Sequence, residues 1–256
     1  MLVRVHTLGA DCLDFADIAL VVDVSGSIEG DGDYPGKFDE QVKPFLKTFA
    51  QGLNVTAGRV QIGMVTFGNY GTLEFGLTPN INEVMRNIDL FDYKSRGKNT
   101  NTSGGIYVMR TQLLSSKDPK YRPTAAHIAV VITDGISTIE HELTIPAAMA
   151  AQKDGIIMLA VGVTTQLNLN ELIGIASPLA PFNVTSLENG IKNGVFTPSG
   201  TVAYVPEIAD LVDVVNRLVM HFKNTVCTAT GSKKCHVYLY TFHSFPNLCP
   251  REGRQI

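Results

Sequence analysis

The chain has 256 residues, enough for one α/β domain with short flanking segments. Hydrophobic residues make up 45% and charged residues 18%, which supports a filled core and excludes a disordered chain. The 21 Lys and Arg against 24 Asp and Glu include no long basic run, so phosphate neutralisation of a nucleic acid is excluded. No apolar stretch reaches the ~20 residues of a membrane span.

The first fifteen residues, M-L-V-R-V-H-T-L-G-A-D-C-L-D-F, hold no apolar run of the ~7–15 residues that a secretory signal peptide needs. Four cysteines and three Asn-x-Ser/Thr sequons, at Asn54, Asn101 and Asn183, nevertheless suit an oxidising, glycosylating route. The expectation is a secreted protein whose true signal peptide is missing from this chain.

Ala16–Asp23 is apolar throughout and ends on a carboxylate; Val60–Phe67, His127–Asp134 and Ile156–Val163 behave likewise. Such runs predict parallel strands buried on both faces. Leu73–Leu77 is shorter and more polar, which predicts an edge strand, and Val202–Val205 predicts a sixth and last strand. Between them the period turns helical. Phe38, Val42, Phe45, Leu46 and Phe49 form one stripe, with Pro44 awkwardly inside it. Ile208, Leu211, Val212, Val215, Leu218, Val219 and Phe222 form another. Ile81–Leu90, Gly104–Leu114, Leu143–Gln152 and Leu169–Ala176 are further predicted helices. The stretch after Ala176, through Pro198-Ser199-Gly200, is rich in turn formers and reads as a long surface loop. The alternation predicts a doubly wound, mostly parallel six-stranded sheet, with helices on both faces and one antiparallel edge strand.

Ligands of open parallel sheets bind beyond the carboxyl ends of the strands. The first predicted strand runs into Asp23-Val24-Ser25-Gly26-Ser27 and the fourth into Thr133-Asp134-Gly135. A third polar cluster, Lys98 to Gly105, precedes a helix. Together they offer carboxylates and hydroxyls with no thiolate or imidazole, a set suited to a hard cation such as Mg²⁺. The bland alternative is a strand-to-helix turn capped by small polar residues. An enzyme reading lacks its parts. A nucleophile elbow would need Gly where Asp23 stands, an Asp-x-Asp phosphatase would need a second Asp where Ser25 stands, and no phosphate-cradling glycine loop follows the first strand.

Asp23-x-Ser25-x-Ser27, with Thr100-x-Thr102 and the Thr133-Asp134-Gly135 strand end, resembles the metal-ion-dependent adhesion site of the von Willebrand factor type A domain. The resemblance covers roughly residues 17–226, leaving a lead-in at 1–16 with Cys12 and a basic cysteine-bearing tail at 227–256. It implies a Rossmann-like fold and a non-catalytic adhesion or matrix role, of the matrilin, collagen-associated or invertebrate matrix kind. It implies direct metal coordination by Ser25, Ser27 and Thr100, and action mainly through water by Asp23 and Asp134. Mg²⁺ is the expected cation, with Mn²⁺ or Ca²⁺ as alternatives. Three neutral hydroxyls would leave it under-neutralised, so an Asp or Glu of an extracellular protein ligand, a collagen-like one included, would complete the site. Thr102 is expected in a supporting role as a hydrogen-bonder or helix cap. A second reading keeps the fold but makes the chain a structural matrix module that self-associates, with metal affecting stability alone.

The resemblance further implies a terminal bridge between Cys12 and Cys227, with Cys227 just beyond the last helix and able to restrain it. Cys235 and Cys249 form a second bridge or open a truncated next module. Their spacing with His236 and His243 matches no compact zinc pattern. Glycans are expected on Asn54 and Asn183, at the end far from the metal, and not on Asn101, inside the site. Two departures matter. No room exists after the fifth strand for the extra helix of collagen-gripping integrin domains, and Glu29, Gly30 and Asp31 do not supply the paired acids of a second calcium site. Glu29, Asp31 and Asp33 are rim acids or solvated loop residues. His127 and His141 are expected to pack or to stand in solvent.

Overall fold

The computed structural model describes residues 15–29, 38–93, 97–134, 136–164, 167–179 and 182–229. Strand β1 (Ala16–Asp23) is buried at every position, as its unbroken apolar run requires. It pairs in parallel with β2 (Val60–Phe67) on one side and β4 (Ala126–Thr133) on the other. With β3 (Gly71–Thr78), β5 (Ile157–Val163), β6 (Thr197–Ser199) and β7 (Val202–Val205), the sheet has seven strands in the order β3-β2-β1-β4-β5-β7-β6. β3 and β6 run antiparallel to their neighbours, one at each edge. The sequence predicted six strands and one antiparallel edge. The addition is three residues long and contains Pro198, which an edge strand tolerates because one row of its backbone groups needs no sheet partner.

Alternate residues of β1 serve different layers. Ile18, Leu20 and Val22 pack under α2 (Lys43–Gln51), α3 (Ile81–Leu90) and α8 (Leu211–Ala229). Ala19 and Val21 belong to the opposite layer, with α4 (Thr102–Val108), α5 (His141–Lys153), α6 (Leu169–Ile175) and α7 (Val184–Asn193). A four-residue helix, α1 (Gly26–Glu29), follows β1.

Pro44 is accommodated by position. A π-helical turn, Phe38–Val42, precedes α2, so the proline sits in the first turn, where helical N–H groups have no partner in any case. On α8 the inward residues are Leu211, Val214, Val215, Leu218, Val219, Phe222 and Val226, whereas Val212, placed by periodicity on that stripe, is 39% exposed.

Helix α7 occupies part of the stretch expected to be a loop. Its turn formers are its ends: Asn183 Oδ1 accepts the Ser186 N–H at 3.0 Å, and Gly194 closes the helix with φ +60°. Gly190 faces Thr197, whose Oγ1 lies 2.2 Å from where a Cβ would stand. The asparagines and glycines that suggested a loop therefore cap and seat a helix. Cys227 likewise lies on α8 rather than beyond it, and is 2% exposed. Cys12, Cys235 and Cys249, together with His236, His243, Asp31 and Asp33, lie outside the described residues. Among the described residues no helix is long and apolar enough to cross a membrane.

Candidate metal centre

Strand order reverses between β1 and β4, and their carboxyl ends open the crevice in which this fold class binds ligands. Asp23 closes β1 and Asp134 follows β4. Asp23 is fully buried; its Oδ1 accepts the Ser25 N–H at 2.9 Å, and its Oδ2 accepts the Thr133 hydroxyl at 2.8 Å. Ser25 Oγ and Ser27 Oγ lie 3.1 Å apart, and Ser27 Oγ donates to Asp134 Oδ1 at 3.0 Å. Residues 107 positions apart in the chain thus share one oxygen cluster. Ser25 is buried and Ser27 is exposed, so the cluster opens to solvent on the Ser27 side.

The backbone of Thr100 is fixed by the stretch that follows β4. Its carbonyl accepts the N–H groups of Thr138 (2.8 Å) and Ile139 (3.1 Å), and its own N–H donates to Thr138 Oγ1 at 2.9 Å. Gly26 of the β1 loop donates its N–H to the Lys98 carbonyl at 3.1 Å, which joins the loop before Thr100 to the serine motif. The neighbouring β2–β3 turn fits only because Gly71 lacks a side chain: a Cβ there would stand 2.3 Å from the Gly104 carbonyl oxygen.

The electrostatics ask for a cation. Burial pushes the Asp23 carboxyl up from its ordinary value. Burial, followed by the Asp23 charge beside it, pushes Asp134 up to about 7. Neither carboxylate has an ion pair with Lys, Arg or His among the described residues. Two buried acids without a counter-charge are costly unless a positive charge arrives from outside the chain. The Thr100 side chain, on a residue 5% exposed, has no hydrogen bond among the described residues, so its oxygen is uncommitted. The chemistry of these oxygen donors fits a hard divalent cation.

Thr102 begins α4, and the helix cap is Asn101, whose Oδ1 accepts the Gly104 N–H at 2.8 Å and the Ser103 hydroxyl at 3.0 Å. The Thr102 hydroxyl is buried without a partner among the described residues, while its N–H reaches Ser137 Oγ at 3.4 Å. Asn101 Nδ2 also donates to the Asn69 carbonyl at 3.2 Å. Asn54 and Asn183 are exposed. His127 Nε2 lies 3.0 Å from the Arg122 carbonyl and its ring stacks on Tyr121 at 4.8 Å; His141 is an exposed neighbour of Glu142. β5 ends at Val163 and α6 begins at Leu169.

Sequence reasoning did not find the groups behind the site. Ser137, Thr138, Thr164 and Glu171 carry no spacing signal, because they reach the loops of the candidate site only through the fold. Thr164 and Glu140 adopt left-handed backbone conformations (φ +81° and +48°), as does Asn54 (φ +53°) away from the site; such values are uncommon for non-glycine residues.

The model of the von Willebrand factor type A domain matches residues 17–193. Bovine integrin alpha-2 is 32% identical over 164 residues, 63% of this chain and 13% of that protein. The mouse collagen alpha-6(VI) chain is 29% identical over 217 residues, 80% of this chain and 9% of that protein. The chain thus corresponds to a small part of these longer relatives. Among solved structures, proximal thread matrix protein 1 from the mussel byssus, with a zinc-occupied adhesion-site motif, superposes with a TM-score of 0.63 at 23% identity, over 82% of this chain and 46% of that one. The match to the family model covers more than half of the sequence, and it falls on the strands and loops that build the oxygen cluster. The chain belongs to the von Willebrand factor type A domain family.

Proposed function

We propose that this protein is a secreted, non-catalytic adhesion or matrix module that binds a divalent cation, Mg²⁺ first, through Ser25, Ser27, Thr100, Asp23 and Asp134. One observation carries the reading: two buried carboxylates face hydroxyl oxygens and no protein cation among the described residues. The cation would supply the missing positive charge and one coordination position for an acidic side chain of an extracellular protein partner. Ser27, exposed at the rim, marks the side from which that Asp or Glu approaches. The setting is matrix-like, in keeping with the collagen VI and byssal relatives, and a collagen-like partner belongs to the same proposal.

The terminal bridge belongs to it too. Cys227 is buried and no free cysteine occurs among the described residues, which supports pairing with Cys12. Closing so long a loop would stabilise the fold by up to about 5 kcal/mol. The exposure of Asn54 and Asn183 supports glycans there, while the capping role of Asn101 supports an unmodified side chain.

Titrating the EDTA-stripped protein calorimetrically with Mg²⁺, beside Asp23→Ala, tests the reading. Saturable heat in the wild type and none in the variant is expected, followed by metal-dependent capture of acidic peptides. Absence of binding up to millimolar Mg²⁺ removes the mechanism. Concentration-dependent self-association unaffected by EDTA would favour the structural-module reading instead.

A further inference from the structure

The metal-site loops are held from behind by the β5–α6 unit. Thr164 Oγ1, at the end of β5, donates to the Asp134 carbonyl at 3.1 Å. Glu171, in the first turn of α6, is only 7% exposed, and both its carboxylate oxygens lie within reach of the Ser137 N–H, at 3.2 and 3.4 Å. Ser137 begins the three-residue stretch that holds Thr100. Its Oγ lies 3.3 Å from the Thr100 carbonyl, and the next two N–H groups bond that same oxygen. Glu171 is a buried acid outside the metal cluster with no salt bridge among the described residues. Burial raises its pKa, and the Ser137 N–H works in the opposite direction. A helix-capping carboxylate would point along its own helix. This one instead bonds a loop 34 residues earlier in the chain.

We infer that Glu171 is a positioning residue for metal binding: by fixing the Ser137 N–H it holds the 137–139 stretch, and through it Thr100, where the Thr100 hydroxyl can serve the cation. The inference rests on the proposed metal function and adds a residue that touches neither metal nor ligand. Partners standing behind metal-binding groups typically change affinity by about 10–100-fold when removed.

The test measures Mn²⁺ affinity of the whole chain, by calorimetry and by the paramagnetic resonance signal of free Mn²⁺. It compares wild type, Glu171→Ala, Glu171→Asp, Glu171→Gln, Thr100→Ala and the double variant Glu171→Ala with Thr100→Ala. Glu171→Ala and Glu171→Asp, which remove or shorten the reach to Ser137, are expected to weaken binding about tenfold or more. Glu171→Gln keeps an acceptor at the same distance and is expected to keep wild-type affinity. The double variant loses less than the sum of the single losses, because Glu171 acts through the loop that carries Thr100. Should Glu171→Ala fail to fold, Glu171→Asp carries the comparison. Wild-type affinity in the folded Ala or Asp variant, or strict additivity in the double variant, overturns the positioning role while leaving the metal site standing. A wild-type protein that takes up no Mn²⁺ overturns both.

Discussion

Strand β1 carries two fully buried carboxylates six residues apart, and their surroundings differ completely. Asp17, at the start, meets Arg122: Nη2 and Nε lie 2.6 and 2.9 Å from Oδ1, the Arg122 N–H reaches Oδ2 at 3.0 Å, and Gln61 Nε2 adds a bond of 3.0 Å. The same guanidinium bonds the carbonyls of Ala16 and Arg59, tying the lower end of the sheet together. Asp23, at the far end, meets only hydroxyls and N–H groups. One carboxylate carries its counter-charge within the chain, and the other has none among the described residues. Burial is the same; the partner separates a structural acid from the one proposed to bind a cation.

The contrast can be broken at Asp17 first, where the effect is largest. Arg122→Met leaves a buried, uncompensated carboxylate and should destabilise the fold by about 3–5 kcal/mol, measurable by urea denaturation. Metal should stabilise the variant and the wild type equally and leave their difference unchanged, because the damage lies at the opposite end of the sheet.

A smaller effect sharpens the contrast at the other end. Asp134 is raised to about 7, and Asp23 is raised as well. An acid whose folded pKa exceeds its unfolded value favours the fold at low pH. That contribution is fully present below the unfolded carboxylate value, near 4, and is lost as pH rises through about 7. Protons and metal also compete for these oxygens. Thermal unfolding at pH 5.5 and pH 8 should therefore show a larger stabilisation by Mg²⁺ at the higher pH. Equal stabilisation at both values would mean that the two carboxylates do not face the cation.

How much of this could be read without coordinates varied with the range of the interaction. The unbroken apolar run of Ala16–Asp23 fixes a central strand, because only a strand paired on both sides hides every residue. Once that strand is placed, Asp23, Ser25 and Ser27 fall at its carboxyl end, and the Thr133–Asp134 strand end falls beside them. Local patterns misled where one residue type has two uses. Asn183 and Gly194 read as loop formers and proved to be the two ends of α7. Val212 fitted the α8 stripe by spacing, yet Val214 takes the inward place. Glu171 stands at a helix start, and its bond to the Ser137 N–H is one that no local pattern encodes. Sequence spacing finds what a strand end presents, but not what supports it from a neighbouring element.

The most direct test of the central claim is thermal unfolding of wild type and Asp23→Asn, each in EDTA and in excess Mg²⁺. The account predicts that Asp23→Asn, relieved of a buried charge, melts above the wild type in EDTA. It further predicts that Mg²⁺ at about a hundredfold over its dissociation constant stabilises the wild type by about 2.7 kcal/mol and leaves the variant unmoved. A wild type indifferent to Mg²⁺, or a variant that responds as strongly, would contradict the claim that Asp23 is buried to serve a cation.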